Sequence, residues 1–252
     1  MAAASIVARL REKVIVWLGR DMRSRFRRQY ESRHGKLEVA EQDGVRLARI
    51  DPSDVSAYRT YREIQQAGNI EKLDAVFASQ ENIAYLARFA EQRLGQVGFV
   101  LCHGTRNGAE QRWFKEALSG SPKVIGTEIS DTATQFPDTV QWDFHELNPE
   151  WEGKADVIYS NSWDHSIDPD RMFTSWMKSL SPRSVMMIEH TIFHLGTHAD
   201  ALDPFGATRD GIIALLNRIG GGTFEVSEVL TELPVADHDR CIIVVRRVSA
   251  PH

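Results

Sequence analysis

The sequence predicts an α/β protein: a seven-stranded, mainly parallel sheet with helices on both faces, closed by an antiparallel hairpin at the C-terminal end. Two patterns carry this expectation. From Val97 onward, short apolar runs alternate with segments of helical periodicity, the signature of parallel strands buried on both faces. The last two runs break the alternation. Only Pro234 to Asp239 separates them, too little for a helix, so they should pair antiparallel.

The elements follow in order. Residues 1–36 hold ten Lys/Arg against three Asp/Glu, a net +7, which leaves −12 for the rest of a chain whose total is −5. Within them Val7, Leu10, Val14, Trp17/Leu18, Met22, Phe26 and Tyr30 recur every three or four residues, and Arg11, Arg20, Arg23, Arg27 and Arg28 largely fill the gaps, as in a basic amphipathic helix. Such a helix suits docking on its own chain or a partner subunit, resting on an anionic membrane surface, or contacting nucleic acid. Residues 37–50, LEVAEQDGVRLARI, alternate around Asp43-Gly44 and predict a hairpin. Asp51-Pro52-Ser53 introduces a helix carrying Val55, Tyr58, Tyr61 and Ile64. Further helical periodicity, notably Ile83, Leu86 and Phe89/Ala90, runs between Leu73 and Leu94. Residues 1–94 thus read as an accessory region capping a main domain at 95–252, and the absence of a Pro/Gly/Ser linker suggests that the two pack together.

In the main domain the strand candidates are Phe99 to Cys102, Lys123 to Glu128, Val140 to Trp142, Ala155 to Ser160, Val185 to Glu189, Thr223 to Leu233 and Arg240 to Val248. Helices fit Ala109 to Leu118, Asp168 to Leu180 and Thr208 to Ile219, the last stopped by Gly220-Gly221-Gly222. No apolar run approaches the roughly 18 residues that span a bilayer, and the N-terminus lacks the order of a secretory signal, so a cytoplasmic protein is expected. Cys102 and Cys241 lie inside apolar runs and read as reduced core thiols.

Ligands of open α/β sheets bind beyond the carboxyl ends of the strands, which directs attention to the residues just after each run. The first run ends in His103-Gly-Thr-Arg-Asn-Gly108, where glycines allow a sharp turn and a close backbone approach to a ligand. The second ends in Glu128, about 20 residues after the loop, where a carboxylate can accept from both hydroxyls of a ribose. The third is followed by Asp143-Phe144, an acceptor for an exocyclic amine beside an aromatic ring that can stack on a base. The fourth runs into Asn161-Ser-Trp-Asp164-His165, a polar and aromatic cluster.

With these features the sequence resembles the class I S-adenosylmethionine-dependent methyltransferases over about residues 95–248. HGTRNG, GTEIS, WDF, YSNSWDH and SLSPRSVMMIE carry the resemblance, together with the terminal hairpin. It implies a Rossmann-like fold and S-adenosylmethionine as cofactor. His103, Gly104, Arg106, Asn107 and Gly108 are then assigned to the cofactor, with the residues from Gly104 onward along its methionine part. Glu128 falls at the ribose, Asp143 and Phe144 at the adenine, and Asn161 near the methyl donor. The chain departs from the family pattern at three places: Cys102 stands where an acid is common, Arg106 where the middle glycine is, and Arg183-Ser184 replaces Gly-Gly. A guanidinium at position 106 could pair with the methionine carboxylate.

The implied reaction is in-line methyl transfer to a small molecule or sugar-containing metabolite, with oxygen the favoured acceptor. His165 is the candidate general base, since imidazole titrates near the working pH; Asp164 and His103 are alternatives. His190, His194 and His198 are four apart, but the glycine and β-branched residues among them favour a substrate-pocket wall over a metal site. A nicotinamide-dependent oxidoreductase is disfavoured by the absence of G-x-G-x-x-G and by the terminal hairpin. A nucleic-acid substrate is disfavoured by the acidity of the main domain. The non-enzymatic alternative is a cofactor-binding or scaffold protein that acts through its basic helix.

Overall fold

The structure is a computed structural model that describes residues 21–197 and 199–248. The stretch from Val7 to Arg20 of the expected basic helix, and His198, lie outside these residues. Within them the order is helix α1 (21–34), strands β1 (Val39–Gln42) and β2 (Val45–Ala48), helices α2 (Val55–Glu71) and α3 (Gln80–Leu94), then β3 (Phe99–His103), α4 (Ala109–Ala117), β4 (Lys123–Glu128), β5 (Thr139–Gln141), β6 (Ala155–Ser160), α5 (Pro169–Ser179), β7 (Leu180–His190), β8 (Phe205–Ala207), α6 (Arg209–Gly220), β9 (Phe224–Leu230) and β10 (Cys241–Arg247).

Local chemistry sets the boundaries. Asp54 caps α2 by accepting from the amides of Ser56 and Ala57, Ser79 caps α3, Asp168 caps α5 with Pro169 at its first position, and Thr208 caps α6. At the other end of α6, Gly221 adopts the left-handed conformation that stops the helix. Asp43 and Gly44 both have positive φ (51° and 77°), the geometry of a tight hairpin turn, and β1 pairs antiparallel with β2 as the sequence predicts.

The main sheet has the order β5-β4-β3-β6-β7-β10-β9. The first five strands are parallel, and β10 runs antiparallel to both β7 and β9, so the terminal hairpin forms as expected. Alternation along the strands sends residues to two cores. Leu101, Ile158, Met186 and Ile243 pack on α5 and α6 through Met172, Phe173, Ile212 and Leu216. On the opposite face Val100, Cys102, Val157, Tyr159 and Met187 pack on α3 and α4 through Ile83, Leu86, Ala90 and Phe114. Helix α3 is therefore a layer of the main sheet, although the sequence division at residue 94 sets it with the accessory region. Both cysteines are buried and free.

A third core joins α1 and α2: Met22, Phe26, Tyr30, Tyr61 and Ile64 close around Ile167 and Leu202 of the main domain. The described half of the basic helix is thus docked on its own chain. Arg23 pairs with Asp203 at 2.8 Å, Arg25 with Glu71 and Arg33 with Glu63.

Three features differ from expectation. Residues 72–79 are turn and loop, so the helical periodicity after Leu73 becomes helix only from Gln80. Strand β7 starts at Leu180, five residues early, because Leu180 already pairs with Ala155 of β6. Strand β8 extends the small hairpin into a three-stranded sheet, β1-β2-β8. Its glycine is required: a Cβ on Gly206 would stand 2.1 Å from the Cα of Gly196. Three residues are too few for a readable alternation.

Candidate cofactor crevice

The strand order reverses between β3 and β6, and a crevice opens there beyond their carboxyl ends. Gly104, Arg106, Glu128, Trp142, Phe144, Ser162 and His165 line it from the strand ends, and Tyr61, Asn69 and Lys72 from α2 and its end. It is narrow, about 50 Å³, with α2 and Lys72 at its end forming a roof.

The glycine loop is held by backbone geometry. The amides of Gly104 and Thr105 both donate to the carbonyl of Thr127. Gly104 has φ 75°, and a Cβ there would lie 2.6 Å from the Cβ of Ser162, so loop and post-β6 turn meet only because the position is glycine. Arg106 occupies the left-handed region with φ 41°, an uncommon choice for a residue with a Cβ. Its amide donates to Glu128 Oε2 (3.1 Å), while its guanidinium donates to the carbonyl of Ala75 (3.2 Å) and lies over the Phe77 ring. Asn107 Nδ2 donates to the carbonyl of Leu73 at 2.9 Å. These two loop residues therefore fasten the roof. Gly108, with φ 76°, is the N-cap of α4 and does not line the crevice.

Glu128 is buried at the end of β4. Its oxygens accept from the amides of Ser130 (3.0 Å) and Arg106 (3.1 Å), one each, which leaves a lone pair on each oxygen for a further donor. Burial raises its carboxyl, against the pull of those amides and of Arg106. Phe144 lines the crevice beside Trp142, but Asp143 does not. The Asp143 carboxylate accepts from the Tyr58 hydroxyl, from the His145 amide (3.0 Å) and from His145 Nδ1 (2.7 Å). Burial alone would raise it, yet the His145 and Tyr58 contacts prevail and hold it at about 2.

Of the post-β6 cluster, Ser162 and His165 reach the crevice. Asn161 Oδ1 accepts from the Ser162 hydroxyl, and its carbonyl accepts from His194 Nε2. His165 Nδ1 donates to the carbonyl of Leu202 at 2.9 Å, with Asp203 Oδ1 at 3.6 Å, and the Tyr61 hydroxyl donates to the His165 carbonyl. Because a carbonyl only accepts, Nδ1 carries a proton, so Nε2 is the nitrogen that bears the lone pair in the neutral imidazole. Asp164 is pushed up to about 6 by burial and by the charge of Asp203, with His165 opposing. Burial would raise Asp203 as well, but His165, Lys72 and Arg23 hold it down at about 2.

His103 is set apart from the crevice. Its ring is stacked on Trp176 at 4.6 Å, Nδ1 meets Thr127 Oγ1 at 2.9 Å, and burial lowers it to about 3, so it is a neutral core imidazole. His190 and His194 likewise stack on Trp163. His190 Nε2 donates to the Ala207 carbonyl, and His194 uses both nitrogens, Nε2 toward Asn161 and Nδ1 accepting from the Thr191 amide. Burial lowers both to about 4. Among the described residues no group of three His, Cys, Asp or Glu is arranged to hold a metal. Beside them a wider cavity of about 510 Å³ is lined by Thr191, Ile192, Arg209, Thr231 and Arg240.

The sequence does not mark Lys72 or Asp203 as site residues: both are far from the strand-end motifs, and the fold brings Lys72 to the crevice and Asp203 beside His165.

Searches against protein-family models and against curated proteins each return no match. Among solved structures the chain is similar to the 1,6-didemethyltoxoflavin-N1-methyltransferase of Burkholderia thailandensis, which holds 1,6-didemethyltoxoflavin and S-adenosylhomocysteine. The TM-score is 0.58 and the identity 14%, over 84% of this chain and 100% of that one. It is similar to an S-adenosylmethionine-dependent methyltransferase of Mesorhizobium loti (TM-score 0.50, 17% identity, 69% and 100% covered) and to mitomycin 7-O-methyltransferase (0.52, 16%, 78% and 59%). None of the described helices is long and apolar enough to cross a membrane. Strand order, terminal hairpin and these neighbours agree: the chain has the fold of the class I S-adenosylmethionine-dependent methyltransferases.

Proposed function

We propose that this protein is an S-adenosylmethionine-dependent methyltransferase that methylates an oxygen of a small molecule or sugar-containing metabolite. The observation that carries the reading is the meeting, at one switch-point crevice, of Glu128 with His165, whose Nδ1 is tied to the Leu202 carbonyl. When bound, the cofactor supplies a sulfonium methyl group for in-line displacement. The residues present fit it: Glu128 retains lone pairs for ribose hydroxyls, and Phe144 and Trp142 offer apolar surface for the base. Asp143 reaches an exocyclic amine only by giving up Tyr58, so it acts in concert with movement of α2. Gly104, Asn107, Gly108 and Asn161 shape the loop and turn, and His103 supports them from the core.

His165 Nε2 takes the proton of the acceptor hydroxyl, and Asp203 beside Nδ1 stabilises the resulting imidazolium. Asp164 is the second candidate base. Arg106 has four further guanidinium N–H groups besides the one on Ala75, enough to take a carboxylate of the cofactor. The acceptor hydroxyl lies beside His165 in the same crevice, where Tyr61, Lys72 and Ser162 suit a hydroxylated molecule. Helix α2 and Lys72 at its end cover this crevice, and a shift of α2 would widen it for the cofactor. The described part of the basic helix, engaged within the chain, supports a docking role for that helix and not a nucleic-acid one.

Calorimetric titration with S-adenosylmethionine, S-adenosylhomocysteine and NAD tests the reading. Binding of the first two alone is expected. Binding of NAD would favour an oxidoreductase, and binding of none a scaffold.

A further inference from the structure

His145 lies directly behind the crevice wall. It is 4% exposed, and its ring meets those of Phe144 (4.8 Å) and Tyr61 (6.2 Å) edge-on, both of which line the crevice. Both of its nitrogens are engaged. Nδ1 stands 2.7 Å from Asp143 Oδ1, while Nε2 stands 2.9 Å from Ser166 Oγ and accepts from the Ile167 amide at 3.3 Å. An amide only donates, so Nε2 bears the lone pair and Nδ1–H donates to Asp143. The Ser166 hydroxyl then donates to Nε2, and its oxygen accepts in turn from the Asp168 amide.

The two ends of the ring hold different segments. Nδ1 is tied to the loop after β5, where Asp143 also accepts from the Tyr58 hydroxyl of α2. Nε2 is tied to Ser166 and Ile167, the two buried residues that follow His165. His165 has its own carbonyl held by the Tyr61 hydroxyl (2.9 Å), and its Nδ1 is aimed at the Leu202 carbonyl. A side chain keeps such an aim only while its backbone is fixed, and two bonds immediately downstream of His165 end on the same imidazole.

Resting on the methyltransferase reading, we propose that His145 is the positioning residue for His165: its Nε2 holds the turn at Ser166 and Ile167, so that His165 keeps Nδ1–H on Leu202 and presents Nε2 to the acceptor hydroxyl. Asp143 orients His145 by accepting from its Nδ1–H. His145 itself touches neither cofactor nor acceptor.

The two ends can be separated by substitution, because a glutamine carboxamide reaches the position of Nε2 and an asparagine carboxamide only that of Nδ1. Wild type, His145→Gln, His145→Asn and Ser166→Ala are labelled with isotopic histidine, and proton–nitrogen correlation spectra read the two ring nitrogens of His165, identified by their loss in His165→Gln. Spectra are taken at about pH 8.5, above the range in which imidazole ordinarily titrates. Wild type and His145→Gln should show a protonated Nδ1 and an unprotonated Nε2. In His145→Asn the separation between the two nitrogen shifts should collapse or invert, toward the Nε2–H form that free histidine prefers. Ser166→Ala deletes one of the two bonds, leaves His145 on Asp143, and should move the shifts the same way; it decides the point if His145→Asn does not fold. A merely structural role would lower stability and leave the His165 nitrogens unchanged. If His145→Asn and Ser166→Ala keep the wild-type pattern, or if His145→Gln loses it while His145→Asn keeps it, the proposal is overturned. A wild-type His165 without the Nδ1–H pattern overturns it as well. Calorimetry of wild type with S-adenosylhomocysteine is run alongside: absence of binding sinks the cofactor reading, and the spectra still decide the role of His145.

Discussion

The segment after β3 and the turns after β6 and β7 are built on opposite principles. On the glycine-loop flank, Thr105, Glu110 and Gln111 each keep a buried polar atom unpaired. On the flank after β6 and β7, Trp163 Nε1 donates to the Glu189 carbonyl, His194 is bonded through both nitrogens, and His190 is bonded to Ala207. Beside this saturated cluster His165 lines the crevice, its Nδ1 tied to the Leu202 carbonyl. Buried polar atoms without partners cost stability, whereas a saturated, stacked cluster holds its side chains still.

The largest effect should come from breaking the rigid flank. Trp163 is fully buried and packs against His190, His194 and Phe205, so Trp163→Ala should cost about 3–5 kcal/mol in urea unfolding. A loss below about 1 kcal/mol would show that this flank is not the stiff one.

The segment after β3 responds to pH. The Glu110 carboxyl is raised from 4.5 to about 7, so the stability it contributes is complete below pH 4.5 and is lost as pH rises through 7. Relative to wild type without cofactor, Glu110→Gln should therefore gain up to about 3 kcal/mol between pH 4.5 and 7.5, a rough conversion of that shift. Unfolding curves at the two pH values decide the point, and a pH-independent difference would remove Glu110 from the contrast.

Next is His165→Gln, expected to lower kcat by roughly 100-fold, with cofactor affinity within a few-fold of wild type. A kcat within a few-fold of wild type would reassign the imidazole to structure. The smallest effect should be that of Gly104→Ala, at the seam between the flanks. Its positive φ and the 2.6 Å approach to Ser162 predict a loss of about 1–2 kcal/mol, measurable by thermal unfolding.

Much of the fold could be read from patterning. Lys123–Glu128 and Ala155–Ser160 match the expected runs residue for residue, because continuous apolar runs flanked by turn residues leave little choice of register. Strand β8 could not be read, since three residues hold no period and its pairing with β2 depends on the contact of Gly206 with Gly196. The strand-end motifs led to the crevice, but the positions within it were less legible. Asp143 and Phe144 are adjacent in sequence, yet Phe144 lines the crevice and Asp143 turns to Tyr58 and His145. The sequence points to a cluster after β6, whereas the Nδ1 proton of His165 depends on the carbonyl of Leu202, 37 residues away.

By itself, then, the sequence determined the sheet, its terminal hairpin and the turn chemistry at each strand end, because periodicity, caps and glycine positions are local properties of the backbone. Tertiary structure alone decided which side chains face the crevice, which polar atoms are left unpaired, and how α2 and Lys72 roof the crevice. Those outcomes depend on long-range packing, where a carboxylate such as Glu110 acquires its character from what surrounds it and not from its neighbours in the chain.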